Sequence, residues 1–204
     1  MIEDVVSVND KERIREILSQ VVWEFSPETT TTNFPMHCHI LARRPEYGDQ
    51  LFNTKSKGTI VVSSYYYFFL SLVDKFCEKH NLKYKKVIRA CLNRNTHVPG
   101  YVHGDPHVDF SLDHIVLLIY LSSSSISSTL VFDKVQRFDD VNGCYLAPQT
   151  FPIKKAVMPD FGKIFAFNGR YYHSSMTPPI GEDRIACVFN LLIDKPWYRY
   201  LGFS

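Results

Sequence analysis

From Tyr84 onward the sequence breaks into eight short apolar stretches separated by turn-forming residues, and this texture restricts that part of the chain to a β architecture. The stretches are Tyr84–Arg94, Asp105–Phe110, His114–Leu121, Thr129–Asp133, Phe151–Val157, Lys163–Phe167, Tyr171–Met176 and Arg184–Ile193. Eight strands of such length, punctuated in this way, predict a sandwich or a barrel. Pro159-Asp160-Phe161-Gly162 marks a turn immediately before Lys163-Ile164-Phe165-Ala166-Phe167. The serine run Ser122 to Ser128 lies between two of the strands and predicts a flexible hairpin loop.

The residues before Tyr84 have a different period. Asn9 with Glu12 three places later predicts a capping box, followed by Ile14, Ile17, Leu18 and Val21 on one helical stripe. A second helix is predicted over Tyr65 to His80, capped by Ser63 or Ser64 and ended near Asn81. Its run Tyr65-Tyr66-Tyr67-Phe68-Phe69-Leu70 reads as a helix packed under a sheet. Short strands are expected at Val21–Phe25 and Phe34–Arg44, with loops over Ser26–Asn33 and Arg43–Gly58. His37 and His39 share the zinc-ligand spacing, but no second pair stands at a matching distance, so they read as ordinary strand positions. Without repeats or linkers, residues 1–204 are expected to form one domain. Residues 1–83 would be the helical support and flanking strands, 84–194 the β core, and 195–204 a tail, with Trp197-Tyr198-Arg199-Tyr200 packing back on the fold.

Composition serves mainly to exclude. A chain that is 45% hydrophobic and 22% charged is ordinary for a soluble globular protein, and a net charge of +2 makes no electrostatic case for nucleic acid or a membrane surface. The basic residues Lys83, Lys85, Lys86, Arg89 and Arg94 read as one solvated strand face. The five cysteines are scattered without a Cys-x-x-Cys pair, as expected of reduced thiols in the cytoplasm. Met1 to Asp10 is too acidic for a signal peptide, and no apolar run approaches the roughly 20 residues that span a bilayer. No Gly-x-Ser-x-Gly elbow, Walker motif or His-Glu-x-x-His motif occurs.

The chemistry gathers around His103-Gly104-Asp105-Pro106-His107-Val108-Asp109-Phe110 and two later residues, His173 and Arg184. Two side chains at i and i+2 on a strand share a face, so His107 and Asp109 can hold one metal ion. A histidine from a distant strand, His173, would complete the two-histidine, one-carboxylate set. His103 and Asp105 offer the same spacing. The glycines at 100 and 104 give that segment the texture of a loop, which favours the later pair and leaves His103 for the mouth of a substrate site. Arg184 opens the last predicted strand, where a guanidinium fork can pair bidentately with a carboxylate and keep its charge when buried.

Over roughly Tyr84 to Asp194 the chain resembles the Fe(II)- and 2-oxoglutarate-dependent oxygenases, particularly the branch similar to prolyl hydroxylases. Pro106-His107-Val108-Asp109, Val116-Leu117-Leu118-Ile119-Tyr120-Leu121, Gly162-Lys163-Ile164-Phe165-Ala166-Phe167 and His173 with Arg184 carry the resemblance by their order. It implies a mainly β fold with supporting N-terminal helices, the double-stranded β-helix or jelly roll. It also implies Fe(II) on His107, Asp109 and His173, and 2-oxoglutarate anchored by Arg184 and touched by the Tyr120 hydroxyl. Dioxygen would be consumed to hydroxylate a peptidyl or small-molecule substrate, with release of succinate and CO2. Ser127-Ser128-Thr129 stands where the family often has Gly-Gly-Thr, and Ala186 where many members have Ser or Thr. A cupin-type jelly roll could use the same ligands for isomerase chemistry or sugar binding, and an interaction protein with a vestigial site would hold no metal. Neither has a use for Arg184.

Overall fold

The strand His114–Tyr120 is buried along its whole length and is the axis on which the rest is stacked. The structure is a computed structural model describing residues 2–4, 6–27, 34–43, 59–110, 112–136 and 151–193. In chain order its elements are β1 (Ile2–Asp4), α1 (Val8–Gln20), β2 (Glu24–Ser26), β3 (Met36–Arg43), β4 (Ile60–Val61), α2 (Tyr66–Lys79), β5 (Lys86–Asn95), β6 (His114–Tyr120), β7 (Thr129–Val135), β8 (Ile153–Val157), β9 (Lys163–Asn168), β10 (Tyr171–Ser175) and β11 (Arg184–Leu192). The larger sheet has the order β1-β9-β6-β11-β5-β3-β2, with β4 paired to β3, and the smaller has the order β10-β7-β8. Every strand pair among the described residues is antiparallel.

The alternation of side chains along β6 explains the layering. Ile115, Leu117 and Ile119 join the core beneath the two helices, whereas Val116, Leu118 and Tyr120 join a second core against Val131 and Val157 of the smaller sheet. A strand covered on both faces has no polar side, hence the unbroken run Ile-Val-Leu-Leu-Ile-Tyr. Each such side chain contributes about 1.5–3 kcal/mol by leaving water. From below, α1 presents Ile14 and Ile17, and α2 presents Tyr66, Phe69, Leu72, Val73, Phe76 and Cys77 at helical spacing. The aromatic run is therefore core for Tyr66 and Phe69, while Tyr67 remains exposed.

Five expectations change. Helix α2 has Tyr65 at its N-cap and no side-chain cap, because Ser63 Oγ accepts from the Tyr65 N–H, one residue before the helix. Helix α1 is capped by Ser7, not Asn9: the Asp10 N–H donates to Ser7 Oγ at 3.1 Å and the Ser7 N–H to Asp10 Oδ2 at 3.2 Å. The same Ser-x-x-acid box is complete two residues earlier, and Lys11 N–H already donates to Ser7 O, so helical bonding is under way before Asn9. Asp105–Phe110 is not a strand but a segment touching β10 through one isolated bridge, His107 with His173, while a second bridge just before it joins His103 to Met176, just past β10. Pro106 lacks the N–H a continuous ladder needs. The serine run is no free hairpin loop, because it crosses from β6 in one sheet to β7 in the other. Ser123 accepts from Phe161 N–H, Ser124 donates to Glu182, and Ser127 donates to Met176 O. Finally, the basic face divides: Arg94 pairs with Asp183 at 2.6 Å, whereas Arg89 turns into the space between the sheets. The loop residues 28–33 and 44–58, Cys144 and the aromatic tail lie outside the described residues. His39 bonds Val22 O and Ser63 Oγ, in keeping with an ordinary strand position. Among the described residues no helix is long and apolar enough to cross a membrane.

Candidate active site

Between the two sheets lies a cleft of about 130 Å³, and His107, Asp109 and His173 meet in its wall. His173 is on β10, while His107 and Asp109 are on the segment beside it. What replaces a strand ladder is one reciprocal pair: His107 N–H donates to His173 O at 3.0 Å, and His173 N–H donates to His107 O at 2.9 Å. This holds the two imidazoles with ring centroids 4.6 Å apart. Each ring then uses the same local device. His107 Nδ1 lies 2.9 Å from Asp105 O, and His173 Nδ1 lies 3.1 Å from Tyr171 O. A carbonyl only accepts, so Nδ1 carries the proton and Nε2 is left as a free lone pair, the tautomer a metal ligand requires.

Both Nε2 atoms point at one carboxylate. His173 Nε2 is 3.7 Å from Asp109 Oδ2 and His107 Nε2 is 4.0 Å from Asp109 Oδ1, and the three ligand atoms lie within 4.8 Å of one another. Among the described residues this is the one such group of His, Cys, Asp or Glu, so His103 and Asp105 do not form a second. Burial pushes His107 down to about 4, helped by its neighbour His173, and keeps it neutral. Burial alone would raise the Asp109 carboxyl. The proximity of the His173 and His107 rings and of the Arg89 guanidinium outweighs that and holds it well below the usual carboxylate range. Two imidazole nitrogens and one carboxylate in this arrangement could bind a divalent transition-metal ion.

Asp109 sits outside any strand and needs a partner to fix its side chain. That partner is Asn190 of β11, fully buried, whose Nδ2 donates to Asp109 Oδ2 at 2.7 Å. Replacing Asn190 by Leu keeps the volume and removes the donor. The expected result is a loss of roughly 10- to 100-fold in Mn(II) affinity by calorimetric titration, the scale on which outer-shell partners act. Unchanged affinity would mean that Asp109 is oriented without it.

Arg184 begins β11 and faces the same cleft. It is 4% exposed, donates from Nη2 to Thr129 Oγ1 at 2.6 Å and from Nε to Ser127 O at 3.2 Å, and has no carboxylate partner among the described residues. Burial lowers its pKa, opposed by Tyr120. The Tyr120 ring centroid is 5.7 Å from the Arg184 Cζ, but its hydroxyl, wholly buried, donates to Thr129 Oγ1 at 2.8 Å. Thr129 rather than Tyr120 lines the cleft. His103 packs its ring 5.8 Å from Phe132, and the cleft lining passes it by through Gly104 and Asp105.

The structure thus brings His107, Asp109, His173 and Arg184 to one cleft and sets Tyr120 one residue behind it. The sequence reading missed Arg89, Asn190 and Thr129. For Arg89 a signal existed: with Cys91, Asn93 and Asn95 it occupies alternate positions of β5, which face the smaller sheet.

No family model matches the sequence, and no curated protein matches it. Solved structures do. An oxidoreductase of the 2OG-Fe(II) oxygenase family from Burkholderia pseudomallei superposes with a TM-score of 0.65 at 12% identity, over 94% of this chain and 84% of that one. HygX from Streptomyces hygroscopicus, crystallised with nickel, 2-oxoglutarate and hygromycin B, gives 0.56 at 16% identity, over 95% and 82%. A Pseudomonas putida prolyl-4-hydroxylase gives 0.51 at 11% identity, over 94% and 91%. The chain has the fold of these 2OG-Fe(II) oxygenase-family structures.

Proposed function

We propose that the chain is an Fe(II)- and 2-oxoglutarate-dependent dioxygenase on a double-stranded β-helix, hydroxylating a substrate with release of succinate and CO2. One observation carries the reading: a buried arginine without an acidic partner among the described residues faces the same cleft as a two-histidine, one-aspartate cluster. A buried charge is costly unless a ligand completes it, and the far carboxylate of 2-oxoglutarate is such a ligand. The structures of similar fold that hold nickel or iron with 2-oxoglutarate support the assignment. A cupin would carry the triad but has no reason to maintain Arg184.

In this reading His107, Asp109 and His173 hold Fe(II), which supplies dioxygen activation when bound. Arg184 and Thr129 position the cosubstrate's far carboxylate, with Tyr120 behind them holding the threonine hydroxyl in place. Asn190 keeps Asp109 aimed at the metal, and the apolar residues Val116, Leu118 and Val188 limit water in the cleft. The prolyl-4-hydroxylase neighbour supports a prolyl substrate, while HygX and its hygromycin complex support a small molecule. Among the described residues Cys38, Cys77, Cys91 and Cys187 form no disulfide, which suits a reducing cytoplasm.

The direct test is succinate formation. Protein loaded with Fe(II) without oxygen, then given 2-oxoglutarate and air, should release succinate slowly without any substrate. The His173→Ala variant should release none. Wild-type protein that binds both metal and 2-oxoglutarate yet forms no succinate would remove the oxygenase assignment.

A further inference from the structure

Arg89 is the second arginine of the cleft, and its position differs from that of Arg184. In the β5–β11 ladder Arg184 is opposite Asn95, whereas Arg89 is opposite Asn190, the residue that holds Asp109. The two guanidinium groups therefore mark opposite ends of one row. Arg89 has a side chain only 26% exposed. Its Nη2 donates to the Cys91 thiol at 3.2 Å and its Nη1 stands 4.0 Å from Asp109 Oδ1. Most of its five N–H donors have no protein acceptor among the described residues. Asp105 also lines the cleft and makes no ion pair with Arg89 among them.

Charge bears on these donors. In the site as proposed above, a divalent ion, Asp109, doubly charged 2-oxoglutarate and Arg184 cancel one another. Among the described residues the nearest carboxylate to the largely desolvated Arg89 is Asp109, at 4.0 Å and already committed to the metal site, a situation that favours a further anionic ligand. Phe34 and Met36 line the cleft as well and provide apolar surface.

We propose that Arg89 receives an oxoanion, a carboxylate or a phosphate-type group, carried by the primary substrate, so that the substrate is a small anionic molecule with a short apolar body. This rests on the oxygenase reading and deepens it. Such a molecule places its anionic end at Arg89 and its reacting carbon next to the metal. The neutral interior of a peptide leaves Arg89 unpaired.

Three probes that share an ethyl group separate the possibilities: propionate, ethylphosphonate and propionamide. Each is added without oxygen to protein loaded with Mn(II) and saturated with 2-oxoglutarate. Paramagnetic broadening of the probe's proton lines reports residence near the metal. Propionate or ethylphosphonate should broaden saturably, and the stronger of the two identifies the kind of oxoanion; propionamide should not broaden. Arg89→Gln should reduce the effect about tenfold, the weight of one charge-assisted contact. Arg89→Lys, which keeps the charge should the first variant fold poorly, should retain part of it. Equal broadening by propionamide, an undiminished effect in Arg89→Gln, or no broadening by any probe would overturn the proposal while leaving the oxygenase reading intact. A tenfold loss of 2-oxoglutarate affinity in Arg89→Gln would also overturn it, by assigning Arg89 to the cosubstrate. Failure of the wild type to bind Mn(II) or 2-oxoglutarate would instead defeat the oxygenase reading, and this inference with it.

Discussion

Changing His173 to alanine is expected to abolish tight metal binding, with a loss well beyond the roughly 10- to 100-fold that an outer-shell partner commands. His107→Ala and Asp109→Ala should do the same, because each removes one of only three protein ligand atoms. The two histidines also hold each other through their backbones, so the side-chain change leaves their N–H and C=O pair in place. The loss can then be read as ligation rather than collapse. Calorimetric titration with Mn(II) or Co(II), with circular dichroism as a check on folding, decides it. His103→Ala is the control: its ring lies on Phe132 outside the cleft lining, and metal affinity should stay near that of the wild type. A His103→Ala protein that loses metal while His107→Ala keeps it would shift the ligand set by four residues, to His103 and Asp105.

Arg184→Ala should weaken 2-oxoglutarate binding roughly ten- to a hundredfold with metal binding intact, since charge-assisted hydrogen bonds contribute about 1.5–3 kcal/mol. Pyruvate, which lacks the far carboxylate, should bind the wild type weakly and be indifferent to the substitution. Arg184→Lys should recover only part of the loss: an ammonium can neither form the bidentate fork nor bond Thr129 and Ser127 O together. Equal affinity for pyruvate and 2-oxoglutarate in the wild type would favour a cupin-like metal protein instead.

Much of this was legible in the sequence for physical reasons. Strand β6 could be read because burial on both faces leaves an apolar run that has few other interpretations. The clustering of His107, Asp109 and His173 could be read because metal chemistry restricts residue type and spacing, and the approach of Arg184 to the same cleft because a fixed charge near a strand start has few uses. The segment carrying His107 and Asp109 was misjudged as a strand. Side chains at i and i+2 share a face in any extended chain, so the ligand geometry survived the error. Asn190, Arg89 and Thr129 were less visible because their roles depend on pairing across strands. Asn190 meets Asp109 only once β11 is laid against β5 and β6, and a lone asparagine or arginine carries no mark of what it will face. The cap at Ser7 was missed because two overlapping boxes satisfy the same rule.

Strand β11 has hydrogen-bonded neighbours along both of its edges, β5 on one and β6 on the other. Arg184 and Asn190 lie on the same face of this strand, separated by about 20 Å of backbone at ~3.3 Å per residue. The strand as a whole cannot slide without breaking two ladders at once, so it works as a ruler. One mark is the guanidinium, and the other is the amide that holds the Asp109 carboxylate. A keto diacid one methylene shorter or longer than 2-oxoglutarate would have to be accommodated by side-chain rotamers alone. Selectivity for chain length would then reside in the backbone of a central strand rather than in any residue that touches the middle of the molecule.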